Sequence, residues 1–271
     1  MSQVVLITGC SEGGIGFTMC TEFALRGCKV YATARNVAKM KNLDAAPNIE
    51  LMALDVTVDT NVVEVVETIV KKEGRIDILI NNAGMACFFP VEQIREVLDA
   101  NVLSIVRVSR AVLPHMAERK SGLIVNIGSI VGEIPTPWAG VYEASKAAAH
   151  SISEVLQMEC RPFDVKVLLV SPGGIKTNVA QNAATRFALQ PDSPYTAYLD
   201  CIVKRMWTSQ GTSSMTADAF ARLVATKVLG PKPPFYMTMG SHSTVFAILK
   251  MLPRMWALNL MWKTYATPPK K

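Results

Sequence analysis

Six short apolar runs punctuate this 271-residue chain: VVLITG from Val4, KVYATA from Lys29, IELMALDV from Ile49, IDILINNAG from Ile76, GLIVNIGS from Gly122 and VKVLLVSPG from Val165. Longer amphipathic or helical stretches separate them. A run that is apolar at nearly every position belongs to a strand buried on both faces. A sheet covered on both faces is one whose strands run parallel and are joined by helices. Right-handed crossovers then give a doubly wound α/β sheet of six to seven strands, the segment FYMTMG from Phe235 being the candidate seventh, at an edge. Half of the residues are apolar, so one large domain over 1–240 is expected, followed by a tail over 241–271.

Tyr142 and Lys146 stand one helical turn apart in an alanine-rich stretch, YEASKAAAH, which puts phenol and ammonium on one helix face. An unperturbed phenol titrates near pH ~10. A neighbouring cation favours the phenolate and brings proton exchange toward neutral pH, where the group can act as acid or base. Ser129 closes the fifth apolar run and is therefore expected at the carboxyl end of a strand, where open α/β sheets keep their ligands. Its hydroxyl can hold a carbonyl or alcohol oxygen beside the tyrosine. Tyrosine and lysine at this spacing occur by chance in many chains, so the weight rests on their company. Between the first apolar run and the helical stretch FTMCTEFALRG lies the turn Thr8-Gly9-Cys10-Ser11-Glu12-Gly13-Gly14-Ile15-Gly16. Glycines at such a turn let the backbone bend sharply and let a pyrophosphate approach the amides of a helix amino end.

The glycine-rich turn, the segment Asn81-Asn82-Ala83-Gly84, Ser129, Tyr142 and Lys146 together resemble the short-chain dehydrogenase/reductase family, over nearly the whole chain up to about Thr177. The resemblance implies a Rossmann fold and an enzyme working with a nicotinamide dinucleotide. It makes Asn101, Ser129, Tyr142 and Lys146 the catalytic set. Ser129 would orient the substrate oxygen and Tyr142 exchange a proton with it. Lys146 would lower the phenol pKa and bind the nicotinamide ribose, and Asn101 would hold a water that links the lysine to solvent. Cofactor contacts are implied for Gly9, Ser11, Gly14, Ile15 and Gly16 in the turn, for Asp55 and Val56 at the adenine, and for Asn82, Ala83 and Gly84 along the cleft. Pro172, Gly173, Ile175 and Thr177 are implied over the nicotinamide. The family turn carries three residues between its first glycine and its GxG end, whereas here there are four, Cys10 to Gly13. An NAD enzyme places an acid at the end of the second strand; this chain reads VYATARN, and Arg35 stands where it can pair with a 2′-phosphate, so NADPH/NADP+ is favoured. The family also implies a homodimer or homotetramer through the helices around Asn101 and Tyr142.

The net charge of +6 resides entirely in the last 42 residues: Lys232, Lys250, Arg254, Lys263, Lys270 and Lys271 face no acidic residue there. That distribution and the lack of a nucleic-acid motif argue against nucleic-acid binding. Three histidines and six cysteines show no ligand spacing, so no metal site and reduced core cysteines are expected. No leader precedes the strand pattern at Val4, which points to an intracellular protein. The segment from about 180 to 230 is polar and irregular, and the family resemblance implies that it forms the substrate lid, with Phe187, Tyr195, Tyr198, Met206 and Trp207 apolar enough for a bulky ligand. In the tail, Val245, Phe246, Ile248, Leu249, Trp256 and Trp262 alternate with Lys250, Arg254 and Lys263 around Pro253. This fits an interfacial helix pair on a membrane or lipid-droplet surface, such as the cytosolic face of the endoplasmic reticulum, or else packing onto the domain or a partner subunit. Within the family the motifs most resemble the fungal NADPH-dependent 1-acyldihydroxyacetone-phosphate reductases, which implies reduction of a ketone on a lipophilic substrate. The alternatives are a hydroxysteroid, retinoid or secondary-metabolite alcohol dehydrogenase, and a scaffold that binds NADP without catalysis.

Overall fold

The computed structural model describes residues 2–88 and 94–266; Lys270 and Lys271 of the basic tail lie outside them. Strands β1 (Val4–Thr8), β2 (Lys29–Ala34), β3 (Ile49–Ala53), β4 (Ile78–Asn81), β5 (Gly122–Ile127), β6 (Val165–Pro172) and a late strand, Tyr236–Met239, form one seven-stranded sheet. Two short strands, β7 (Ile175–Lys176) and β8 (Met215–Thr216), pair separately, so the late strand is β9. The order β3-β2-β1-β4-β5-β6-β9 is parallel throughout and includes all six expected runs and the seventh edge strand. Strand order reverses between β1 and β4, which leaves a crevice beyond their carboxyl ends, where doubly wound sheets bind ligands.

Burial on both faces explains why the strands read as continuous apolar runs. Val5 and Ile7 point to one face, against Phe23 of α1 (Ile15–Leu25) and Phe220 of a later helix over Ala217–Val228. Val4 and Leu6 point to the other face, against Val66 of α2 (Asp59–Glu73) and Val112 of another helix. That helix is a rod of three pieces: α3 (Ile94–Leu98), a π-helical turn at Asp99–Leu103, and α4 (Ser104–Glu118). The longest helix, α5 (Gly140–Glu159), packs along β6.

The segment expected as a lid divides in two. Helices α6 (Val179–Ala184) and α7 (Leu199–Met206) lie over the site, whereas α8 (Ala217–Val228) buries Phe220, Ala221 and Val224 against α1 in the core. The tail folds back as α9 (Ser243–Leu249) and α10 (Arg254–Tyr265), separated at Pro253. Phe246, Leu249, Ala257 and Met261 are buried against Ile130, Val131 and Ile134, just past β5. Lys250 Nζ lies 2.9 Å from the Glu133 carboxylate, and Arg254 Nη1 donates to the Glu133 carbonyl at 2.9 Å. The tail also has an outward apolar side, on which Met251 is 79% and Trp256 68% exposed. No described helix is long and apolar enough to cross a membrane.

These burials generate a contrast. Phe220→Ala should destabilise the protein by roughly 3–5 kcal/mol in urea unfolding, because a fully buried ring leaves a cavity between α8 and α1. Trp256→Ala should change stability by no more than about 0.5 kcal/mol.

Candidate active site

Four carboxyl-terminal strand ends converge on the crevice, and the backbone groups that the ladders leave unpaired there are taken up by side chains. The Thr8 hydroxyl accepts from the amides of Asn82 and Ala83 (3.1 and 3.0 Å), and Asn82 Nδ2 donates back to the carbonyls of Thr8 and Gly9 (2.8 and 3.1 Å). These bonds draw the glycine-rich turn onto the segment after β4. The approach is close enough to demand glycine. A Cβ on Gly9, whose φ is +75°, would lie 2.7 Å from Ala83 Cα, and one on Gly16 would lie 2.5 Å from the Gly9 carbonyl. Gly14 is the N-cap of α1 and supplies no side-chain cap, so the first-turn amides beyond it, at Ile15 and Gly16, remain free for an anion. The additional residue of the loop is held from behind. Asn178 donates through its amide to the Gly13 carbonyl (2.9 Å) and through Nδ2 to the Glu12 carbonyl (3.3 Å), while the Ser11 carbonyl accepts from Gly14 (3.1 Å).

Arg35 is exposed just beyond β2. Burial works against the charge on Asp55, but the Thr57 hydroxyl and amide (2.7 and 2.9 Å), Arg35 and Arg107 together hold this carboxyl below its ordinary range. Asp55 thus shapes the turn before α2; the N-cap of α2 is Val58. Val56 turns its side chain into the core, and its carbonyl accepts from Arg107 (2.8 Å). On the other side of the crevice, β6 runs through Pro172, which pairs with Met239. Gly173 and Gly174 follow; a Cβ on Gly173 would meet the Ser241 carbonyl at 2.0 Å. The Ile175 side chain is core, its backbone paired with Met215, and the half-buried Thr177 hydroxyl accepts from Val179 (3.3 Å).

Ser129, Tyr142 and Lys146 meet where β5 ends. A Cβ on Gly128 would lie 2.4 Å from His150 Nε2, so only glycine lets the β5 end pass that ring. The Ser129 amide donates to the same nitrogen at 3.2 Å, and burial keeps the imidazole neutral and able to accept. The Lys146 ammonium is buried and donates to the Ile127 carbonyl at 2.8 Å; it lies 5.9 Å from the centre of the Tyr142 ring. Burial alone lowers the lysine pKa to about 8. Here the structure differs from the expectation drawn from the Tyr–Lys spacing. Burial raises the Tyr142 pKa, and the groups that pull it back down are the Ser129 hydroxyl and Arg205 of α7, with Glu143 adding to the rise. The hydrogen bond of Lys146 goes to the Ile127 carbonyl and not to the phenol.

Asn101 sits buried in the π-helical turn, whose additional residue aims it inward. Its Oδ1 accepts from the Met85 amide (2.7 Å), and Nδ2 donates to the Met85 carbonyl and to Ser145 Oγ (both 2.9 Å). Its side chain is bonded to protein groups, and a Cβ on Gly84 would lie 3.0 Å from Asn101 Oδ1 and 3.8 Å from Lys146 Nζ, which places the amide and the ammonium on either side of that glycine. The structure also brings in groups that sequence spacing did not single out: Thr136 and Glu143, joined to Arg205 from 62 or more residues away, and Trp138. Trp138 holds φ at 79°, a costly value for a bulky residue, immediately before α5. It donates from its indole to the Tyr265 carbonyl (3.0 Å) and stacks near Tyr198 and Trp262. A lone GVYEASK segment carries no signal for such distant partners.

A buried lysine and a tuned phenol at the mouth of a doubly wound sheet define a nucleotide-dependent oxidoreductase. The short chain dehydrogenase family model matches residues 3–186, and the chain belongs to that family. It is 35% identical to the short-chain dehydrogenase PC-15 of Penicillium crustosum over 258 residues, 93% of this chain and 94% of that protein. It is 37% identical to the NADPH-dependent 1-acyldihydroxyacetone phosphate reductase of Schizosaccharomyces pombe over 211 residues, 74% of this chain and 71% of that one. Among solved structures it resembles the closed form of a serine dehydrogenase complexed with NADP+, at 27% identity and TM-score 0.76, covering 88% of this chain and 94% of the other.

The buried carboxyl of Glu143 gives a pH prediction. Burial pushes its pKa up from 4.5 to about 7, although Thr136 and Arg205 oppose the rise. Between those values the folded chain binds more protons at this group than the unfolded chain does, so stability falls as pH rises from 4.5 through 7. Urea unfolding of Glu143→Gln against pH should show a shallower decline than the parent over that window.

Proposed function

We propose that this protein reduces a ketone on a lipophilic substrate such as 1-acyldihydroxyacetone phosphate to the secondary alcohol, with NADPH as cofactor. The observation that carries the reading is the meeting of Ser129, Tyr142 and Lys146 at the end of β5, beside a glycine turn that any Cβ would block. The residues fit a dinucleotide: the uncapped amides of α1 suit a pyrophosphate, and Arg35, with no acid in its place, suits a 2′-phosphate. NADPH bound there supplies the hydride. Gly9, Ser11, Gly14, Ile15 and Gly16 hold the phosphates, Arg35, Asp55 and Val56 the adenosine end, and Asn82, Ala83 and Gly84 the cleft wall. Pro172, Gly173, Ile175 and Thr177 cover the opposite side. Tyr142 gives its hydroxyl proton to the substrate oxygen, which Ser129 holds. Because burial keeps the phenol protonated, it suits the role of acid in the reducing direction. Lys146, its pKa drawn down to about 8 by burial, relays a proton from solvent back to the phenolate through the groups around Asn101.

The lipophilic substrate is supported by the reductase of Schizosaccharomyces pombe and by the apolar wall over the site, in which Phe88, Phe187 and Met206 pack with Ala139. The outward side of the tail, with Met251, Met255 and Trp256 exposed between Lys250, Arg254 and Lys263, supports attachment to an anionic lipid surface. Exposed Leu103 and Val106 beside the π-turn and Val155 and Met158 on α5 support a homo-oligomer built on these helices. The second reading, a secondary-metabolite alcohol dehydrogenase, is favoured by the fuller coverage of the Penicillium crustosum relative. A panel of lipid ketones and alcohols with both redox states of the cofactor separates the two.

Three outcomes are expected. Tyr142→Phe should lower turnover by roughly 100-fold or more while NADPH binding, followed by its fluorescence, is kept. Arg35→Ala should raise the Michaelis constant for NADPH by about tenfold and leave that for NADH nearly unchanged. Equal effects on the two cofactors would remove the 2′-phosphate assignment. Replacing Met251 and Trp256 by serine should weaken co-sedimentation with vesicles containing anionic lipid without loss of activity on a soluble ketone, and undiminished binding would remove the tail from that role.

A further inference from the structure

A second charged cluster begins at the residue that follows the catalytic tyrosine. Glu143, the residue after Tyr142, is 3% exposed. Its carboxylate accepts from the Thr136 amide (2.7 Å) and from the Thr136 hydroxyl, and lies 3.2 Å from Arg205 Nη2. The Thr136 hydroxyl, having given its proton to Glu143, accepts from Arg205 Nε at 2.8 Å. Every polar atom named in this triangle has a partner. The guanidinium also lies between two rings, 5.8 Å from the centre of Phe88 and 5.4 Å from that of Tyr265. One arginine on α7 thus touches the first turn of α5, the loop after β5, the segment after β4 and the last turn of α10.

We propose that Glu143 and Arg205 are positioning residues for the reduction: their buried pair clamps α7 and α10 onto the first turn of the catalytic helix, and its two opposite charges set the field in which the Tyr142 hydroxyl exchanges its proton. The clamp deepens the reading of the site as a ketone reductase and rests on it. The two partners act on Tyr142 in opposite senses, Arg205 favouring the phenolate and Glu143 disfavouring it. The charged or titratable groups that face Glu143 are Arg205 from α7, Tyr142 from its own helix and, across the guanidinium, Tyr265 from α10. A lysine at position 205 keeps the charge but cannot make the forked contact with Thr136 and Glu143.

The test compares Glu143→Gln, Arg205→Met, Arg205→Lys and the double variant Glu143→Gln/Arg205→Met in the full chain. Two readouts are taken: the pH dependence of NADPH-driven reduction of 1-hexadecanoyl-dihydroxyacetone phosphate, and an ultraviolet difference titration of the phenolate against Tyr142→Phe. In the reducing direction activity falls as pH rises through the tyrosine pKa. The falling limb, and the titration with it, should therefore move down by about one pH unit in Glu143→Gln and up by about one in Arg205→Met. Arg205→Lys should leave the limb in place and raise the Michaelis constant by about tenfold, because the charge remains while the clamp is loosened. Breaking a buried pair on one side costs roughly 3–5 kcal/mol, whereas removing both partners is far milder. If Arg205→Met does not fold, the double variant and Arg205→Lys carry the comparison. The double variant should then regain stability while its turnover stays about tenfold below the parent. A purely structural pair would give limbs that stay in place in the folded single variants, or full activity restored with stability in the double variant, and either result overturns the proposal. The phenolate titration needs no substrate and NADPH binding is read separately by fluorescence. A wrong substrate therefore leaves both measurable, whereas loss of NADPH binding in the parent would strike at the oxidoreductase reading itself.

Discussion

Parallel strands that end together leave a row of backbone groups with no neighbour to pair with, and such groups cannot stay dry and unpaired. The protein meets this demand at the crevice with short polar side chains, and its site is largely the result. Thr8 and Asn82 tie the end of β1 to the end of β4. Deeper in the sheet, Asn81 Nδ2 donates to Asn126 Oδ1 (2.9 Å), and Asn126 Nδ2 in turn to Ser153 Oγ of α5 (2.9 Å). Lys146 satisfies the carbonyl of Ile127 at the cost of its own hydration, which is why its proton is loosely held. The catalytic candidates are thus also the side chains that complete the hydrogen bonding of the sheet edge.

Much of this was legible because it is local. Buried parallel strands are apolar at every position, and the six runs from Val4 to Pro172 matched β1 to β6 without a shift of order. Glycines at Gly9 and Gly16 are forced by approaches of under 3 Å, so the turn announces itself in the chain. The tail was legible in composition but not in placement. Helix α10 is apolar around most of its circumference, so nothing in its periodicity distinguished Ala257 and Met261, which are buried, from Met255 and Trp256, which are not.

The sign of the tyrosine shift was not legible for a different reason. Spacing says that Lys146 and Tyr142 share a helix face, but not where the ammonium is aimed, nor how deeply the phenol is buried. Both depend on contacts between distant segments. Burial of the phenol dominates, and one of the groups that oppose it comes from position 205. Glu143 likewise reads as an ordinary polar residue of a helix's first turn until α7 is folded over it. The same holds for His150, whose ring meets Ser129 only because α5 runs back along the end of β5.

Trp138 has its indole on the carbonyl of Tyr265, 127 residues further along the chain. β9, the last strand of the sheet, ends at Met239, so the sheet is built without the helix from which that carbonyl comes. The strained backbone ahead of α5 is anchored only once α10 has folded back, so a chain cut after β9 would keep the strands of the nucleotide fold and lack the roof of its reaction chamber.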